Sequence, residues 1–217
     1  MSHICHHFDA YYEAWHAQIG ALCFLLTGHR ADSRDVAFQT FLRLGGAKDP
    51  EIGESEARML LFGSAVRLCD DYYLKKLRKP QSRKTLNMQD LPFPVTDAVC
   101  ALLALPFKRR AALALSRFGF SLQEIAQLLH IRQDAAAKLT ADPQIPGWQE
   151  TLDAMAMTED EAYILNDRIY ERFAVRSVGV ENAIHDARNA FDRALPYLAA
   201  AVFALCALAV WYVKRGI

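Results

Sequence analysis

The chain has no surplus of charge. Its 25 lysines and arginines are matched by 25 aspartates and glutamates, so no global basic field points to a nucleic-acid partner, and any such attraction has to be local. Cysteine is sparse. Cys5, Cys23, Cys69, Cys100 and Cys206 are scattered and form no CxxC pair, which excludes a disulfide framework and fits a reduced, cytosolic compartment. Glycine never clusters into a phosphate-cradling loop, no nucleophile stands beside a base, and no metal pair is visible, so neither catalysis nor a cofactor is expected. His3, Cys5, His6 and His7 are of the usual zinc-donor types. A closed site needs four ligands held by structure, however, and no second pair follows, so they read as plain polar sequence. The first thirty residues hold His, Asp and Glu where a secretion signal needs an uninterrupted apolar core, so no signal is expected.

What is present is helical periodicity. Tyr11, Tyr12, Trp15, Ile19, Leu22, Leu25 and Leu26 recur at spacings of three and four and predict an amphipathic helix over 8–26, closed by Gly28. Ser33 or Asp32 then caps a second helix with Val36, Phe38, Phe41, Leu42 and Leu44 on its apolar side. A third runs from Ser55 through Met59, Leu61, Ala65, Leu68 and Tyr72 to Pro80. At its end Lys75, Lys76, Arg78, Lys79, Arg83 and Lys84 fall together with no acid among them. Tyr72 and Tyr73 precede them. Cations that hold phosphates beside rings that stack on bases suit single-stranded nucleic acid. The plain alternative is a solvated helix end whose cations favour the helix dipole. Residues 80–96, with three prolines, read as a linker.

The stretch Leu105–Leu139 predicts a helix-turn-helix. Pro106 opens one helix and Gly119 ends it. Ser121 and Glu124 form a capping box that starts the next, His130-Ile131-Arg132 is the turn, and Gln133–Leu139 is the recognition-type helix. A generic three-helix bundle is the alternative. Residues 143–193 follow. From Trp148 to Arg193 they carry ten acids and five bases in two helical patterns. Such a segment could cover basic surfaces, with Ile164, Leu165 and Ile169 packing, but a solvated stalk is the simpler expectation. Residues 194–213 are uncharged, match the ~20 residues that span a bilayer, and carry Tyr197, Trp211 and Tyr212 near their ends. The expected fold class is therefore all-α, with helical domains over 8–79 and 97–142, an acidic helical extension and a single C-terminal transmembrane helix.

In this order the parts resemble the extracytoplasmic-function sigma factors, the small two-domain class of bacterial RNA polymerase sigma factors. The family pattern D-A-E-D-L-x-Q-x-T-F-L-R-L is met by residues 32–44, with Gln39-Thr40-Phe41-Leu42-Arg43-Leu44 intact. The resemblance implies that Asp32, Asp35, Gln39, Phe41 and Leu42 dock on polymerase core. The pattern W-L-x-x-I-A-x-N-x-x-x-D-Y falls on residues 60–72 and implies melting and reading of the minus-ten element through Arg67, Asp71 and Tyr72, joined by the basic Lys75, Lys76 and Arg78. Here Leu60 stands for the tryptophan and Arg67 for the asparagine. The patterns L-P-x-x-x-R-x-x-x-L and S-x-x-E-I-A-x-x-L-x-I match Leu105-Pro106, Arg110, Ser121, Glu124-Ile125-Ala126, Leu129 and Ile131. They imply minus-thirty-five contact with Ser121 and Gln123 in the site.

The recognition helix departs from the family, with His130 at the usual glycine and Ala135-Ala136-Ala137 where donors are expected. Arg132, Gln133 and Lys138 remain as donors, so weak affinity for duplex DNA is expected. The resemblance implies three partners, polymerase core, promoter DNA and a regulatory protein of the anti-sigma type, and residues 194–213 add the membrane as a fourth. It places the body at the cytoplasmic face of the membrane. The competing expectation is a degenerate sigma-like interaction module that does not read DNA.

Overall fold

The computed structural model describes residues 5–78 and 96–175, with side chains described over 5–72 and 96–175. Among these residues every regular element is a helix, as expected. α1 is Phe8–Thr27, closed by Gly28 at φ 67° with its N–H on the Phe24 carbonyl. α2 is Arg30–Gly45 and α3 is Glu54–Arg78. α4 is Asp97–Ala104, capped by Thr96, whose hydroxyl accepts from the Val99 N–H at 3.3 Å. α5 is Phe107–Arg117, α6 is Leu122–Leu128, α7 is Gln133–Leu139, α8 is Trp148–Ala154 and α9 is residues 159–175.

One cap differs from expectation. α2 starts at Arg30 because the His29 ring accepts from the Asp32 N–H, while the Ser33 hydroxyl turns back to donate to the Arg30 carbonyl at 2.7 Å. Ser33 is therefore buried inside the first turn and caps nothing. Expected elements over 80–95 and 194–213 lie outside the described residues. No described helix is long and apolar enough to cross a membrane.

α1, α2 and α3 pack on one another around Phe8, Phe24, Phe41, Leu44, Leu61 and Phe62, all essentially inaccessible. The Tyr12 and Phe41 rings lie 4.7 Å apart and Phe8 meets Phe41 edge-on. Residues of both expected domains, and the extension as far as Tyr170, belong to one compact unit, His3–Tyr170. From Glu171 the chain falls in a second unit, whose described part is the end of α9.

Two arginines explain why 97–142 does not stand apart from α1–α3. Arg110, itself buried, donates to the Leu25 carbonyl at the end of α1 at 2.6 Å. Arg58 on α3 donates to the Phe118 carbonyl and lies 3.9 Å over the Phe120 ring, which in turn packs 4.9 Å from Phe62. The Arg58 guanidinium thus gives one donor a carbonyl acceptor and sets its charge over an aromatic face. The extension is no bare stalk either. Leu152, Met155, Met157, Leu165 and Ile169 are buried within the fold, whereas Ile164 is 59% exposed.

Candidate nucleic-acid interface

α5, α6 and α7 form the helix-turn-helix. The Ser121 hydroxyl accepts from the Glu124 N–H at 3.3 Å, and the Glu124 carboxylate accepts from the Ser121 N–H at 2.7 Å and from its hydroxyl at 2.8 Å. The backbone bond from Ser121 and then its hydroxyl hold the Glu124 carboxyl below its usual range. The turn at His130 has φ 50°, a left-handed conformation to which a residue with a Cβ is less suited than glycine.

α7 presents Gln133, Asp134, Ala137 and Lys138 to solvent. Arg132 precedes it, 88% exposed, with its Nε 3.2 Å from the Asp134 carboxylate. An exposed pair of this kind contributes little stability. Its position is informative nonetheless, because an acid in the first turn of a helix opposes a phosphate at that helix start. Asp134 lies outside the expected contact set, although an acid in a helix's first turn is a signal legible in the sequence. Gln123 is exposed on α6. Ser121 is exposed as well, but both its polar groups are engaged with Glu124, so its role in the fold is to start α6.

On α3, Arg67 and Asp71 are exposed and Tyr72 is half-buried. The Tyr72 hydroxyl donates to the Asp32 carboxylate on α2; burial and this bond push the phenol well above its usual range. Tyr72 and Asp32, assigned by resemblance to DNA and to polymerase respectively, therefore hold each other. Lys75, Lys76 and Arg78 fall in the last turns of α3, with side chains outside the described residues. Of the expected docking residues, Asp35 and Gln39 are exposed and Leu42 is half-buried. Phe41 is fully buried against Phe8 and Tyr12. Phe41 is a core residue in this fold and offers no surface to a partner.

A groove of about 410 Å³ runs between α3 and the helix-turn-helix, bordered by Met59, Leu60, Arg67, Lys108, Leu128 and His130. The two helices approach closely at Gly63, where an added Cβ would sit 3.2 Å from Leu128 Cδ2. The minus-ten candidate Arg67 and the recognition turn at His130 thus border the same space. Among the described residues no cluster of His, Cys, Asp and Glu could hold a metal ion. No family model matches the chain, and no curated protein or solved structure matches it.

Proposed function

We propose that the chain is a sigma-factor-like transcription initiation protein that binds RNA polymerase core and promoter DNA. In this reading residues 194–213 tether it to the cytoplasmic face of the membrane. The observation that carries the reading is the helix-turn-helix with its reciprocal Ser121–Glu124 cap and exposed α7, which follows a three-helix unit whose last helix ends in cations. That is a helix displayed as a major groove requires, beside a basic helix end suited to a melted strand.

A second reading is supported by the surface of α7. Three consecutive alanines and the Arg132–Asp134 pair leave Gln133 and Lys138 as the other candidate donors on this helix, too few for strong duplex binding. In that reading the chain is a membrane-held sigma-like module that binds polymerase or an anti-sigma-type regulator without reading DNA.

Capture of core polymerase by the full chain from membranes, followed by run-off transcription, separates the two. Capture with a promoter-dependent transcript supports the first reading, and capture without a transcript supports the second. Absence of capture removes the first reading and leaves the second only in its regulator-binding form.

A further inference from the structure

The start of α2 holds the acidic extension by one concentrated contact. Arg30 donates to the carbonyls of Met155, the C-cap of α8, and Ala156, the residue after it, each at 3.1 Å. The same guanidinium donates to both carboxylate oxygens of Glu161, and Arg34, one turn on, donates to Glu161 Oε1 at 3.0 Å. Glu161 also closes the capping box that begins α9, accepting from the Thr158 N–H at 3.1 Å while the Thr158 hydroxyl accepts from the Glu161 N–H at 3.3 Å. One carboxylate thereby both starts α9 and fixes it to α2.

The rest of the seat is shaped for this segment. A Cβ at Gly20 in α1 would lie 2.6 Å from Met157 Cβ and 2.9 Å from its backbone nitrogen, so the turn before α9 rests on the bare backbone of α1. The Tyr12 hydroxyl donates to the Ala162 carbonyl at 2.5 Å. Further along, Arg168 lies 4.7 Å over the Phe38 ring and 3.9 Å from the Asp35 carboxylate. Arg34, Asp35 and Phe38 belong to the helix that the sequence pattern assigns to polymerase docking.

We infer that residues 155–170 are an autoinhibitory latch: seated, they cover the side of α2 that carries Arg30, Arg34 and Phe38, beside the exposed Asp35 and Gln39, and polymerase core gains that side of the helix only when they leave. This rests on the proposed sigma-like reading for the identity of the gated partner. The latch itself rests on the contacts of Arg30, Gly20 and Glu161. The surface they cover is α2, not the recognition helix, and the contact is direct packing, so it does not depend on attraction across a screened distance. Vacated, the seat offers two arginines, an aromatic ring and a glycine-floored slot, a surface for an acidic amphipathic helix.

Two full-length variants test this by different lesions. Glu161→Arg places a third cation between Arg30 and Arg34. Gly20→Ala leaves every charge in place, favours the α1 helix, and pushes Met157 off its seat. The first readout is a labelled synthetic peptide of residues 155–170, which should bind Glu161→Arg at least about tenfold more tightly than wild type and should not bind Gly20→Ala, whose added Cβ meets the peptide's own Met157. The second is binding to polymerase core, which should tighten by a similar factor in both variants. Hydrogen exchange at Leu61 and Leu113 serves as the folding control. Failure of the peptide to bind folded Glu161→Arg, or binding to Gly20→Ala as tight as to Glu161→Arg, overturns the latch. Peptide capture with polymerase binding equal to wild type overturns the gating of α2. No polymerase binding by any of the three chains overturns the sigma-like reading, and the peptide arm still decides the latch.

Discussion

His130 holds φ 50° without being a glycine. A left-handed L-residue costs roughly 1–2 kcal/mol, and glycine there relieves this at some cost in unfolded-chain entropy. His130→Gly should therefore stabilise the fold by about 0.5–1 kcal/mol, read as a higher urea midpoint with an unchanged slope. A lower midpoint would mean that the imidazole makes a contact worth more than the strain. Glu161 gives a second expectation. Burial alone pushes its carboxyl up, but hydrogen bonds from Arg30, Arg34 and the Thr158 N–H outweigh burial and hold it at about 2, against 4.5 for the free group. The unfolded chain therefore takes up this proton first as pH falls, so the stabilisation is complete above about 4.5 and is lost as pH drops towards 2. Glu161→Gln should cost about 1–3 kcal/mol at neutral pH, with the gap to wild type closing towards pH 2. A gap that stays constant across that window would show that the charge of Glu161 does not contribute.

At the scale of elements, α3 joins the packing of the core to a cationic end. Lys75, Lys76 and Arg78 replaced together by Glu should strongly weaken binding to a single-stranded minus-ten-like oligonucleotide. The same change should reduce the slope of log affinity against log salt by roughly 2, at ~0.7 per phosphate. Wild-type binding that does not respond to salt would assign these cations to the helix dipole instead. The helices were legible in the sequence because their signals are local: the Ser121 and Glu124 cap, the stripe from Tyr11 to Leu26, and the basic end of α3 are each read within a few turns. The packing partners were not. Arg58, Arg110 and Arg30 look like surface cations in a one-dimensional pattern, and only the fold places carbonyls against them. Gly20 carried a signal that passed unused. A glycine inside an amphipathic helix costs about 1 kcal/mol against alanine, which marks a close approach, here that of Met157. Phe41 was misjudged because a family motif does not separate residues that face a partner from those that face the core.

For the whole molecule, the packing of α6 on α3 limits what the proposed promoter-binding surfaces could reach at one time. Elements centred about 25 base pairs apart are separated by roughly 85 Å along B-form DNA, at about 3.4 Å per base pair. α3 is the longest helix whose full extent falls in the compact unit; its 25 residues span about 37 Å, and Arg67 and His130 border one groove. In this arrangement the surfaces proposed for the minus-ten and minus-thirty-five elements cannot sit on those two elements together. The full chain alone should therefore bind a duplex carrying both elements no more tightly than a duplex carrying either one. Gly63→Leu provides the wedge, because α6 already stands at contact distance there through Leu128. The bulky side chain should loosen α6 from α3 and introduce a gain in affinity for the two-element duplex over the single-element ones. Competition binding at fixed salt measures that gain. A wild-type chain that already prefers the two-element duplex would mean that the contacts of Arg58 and Phe62 with the helix-turn-helix open without assistance, and that the closed packing is no barrier to promoter reading.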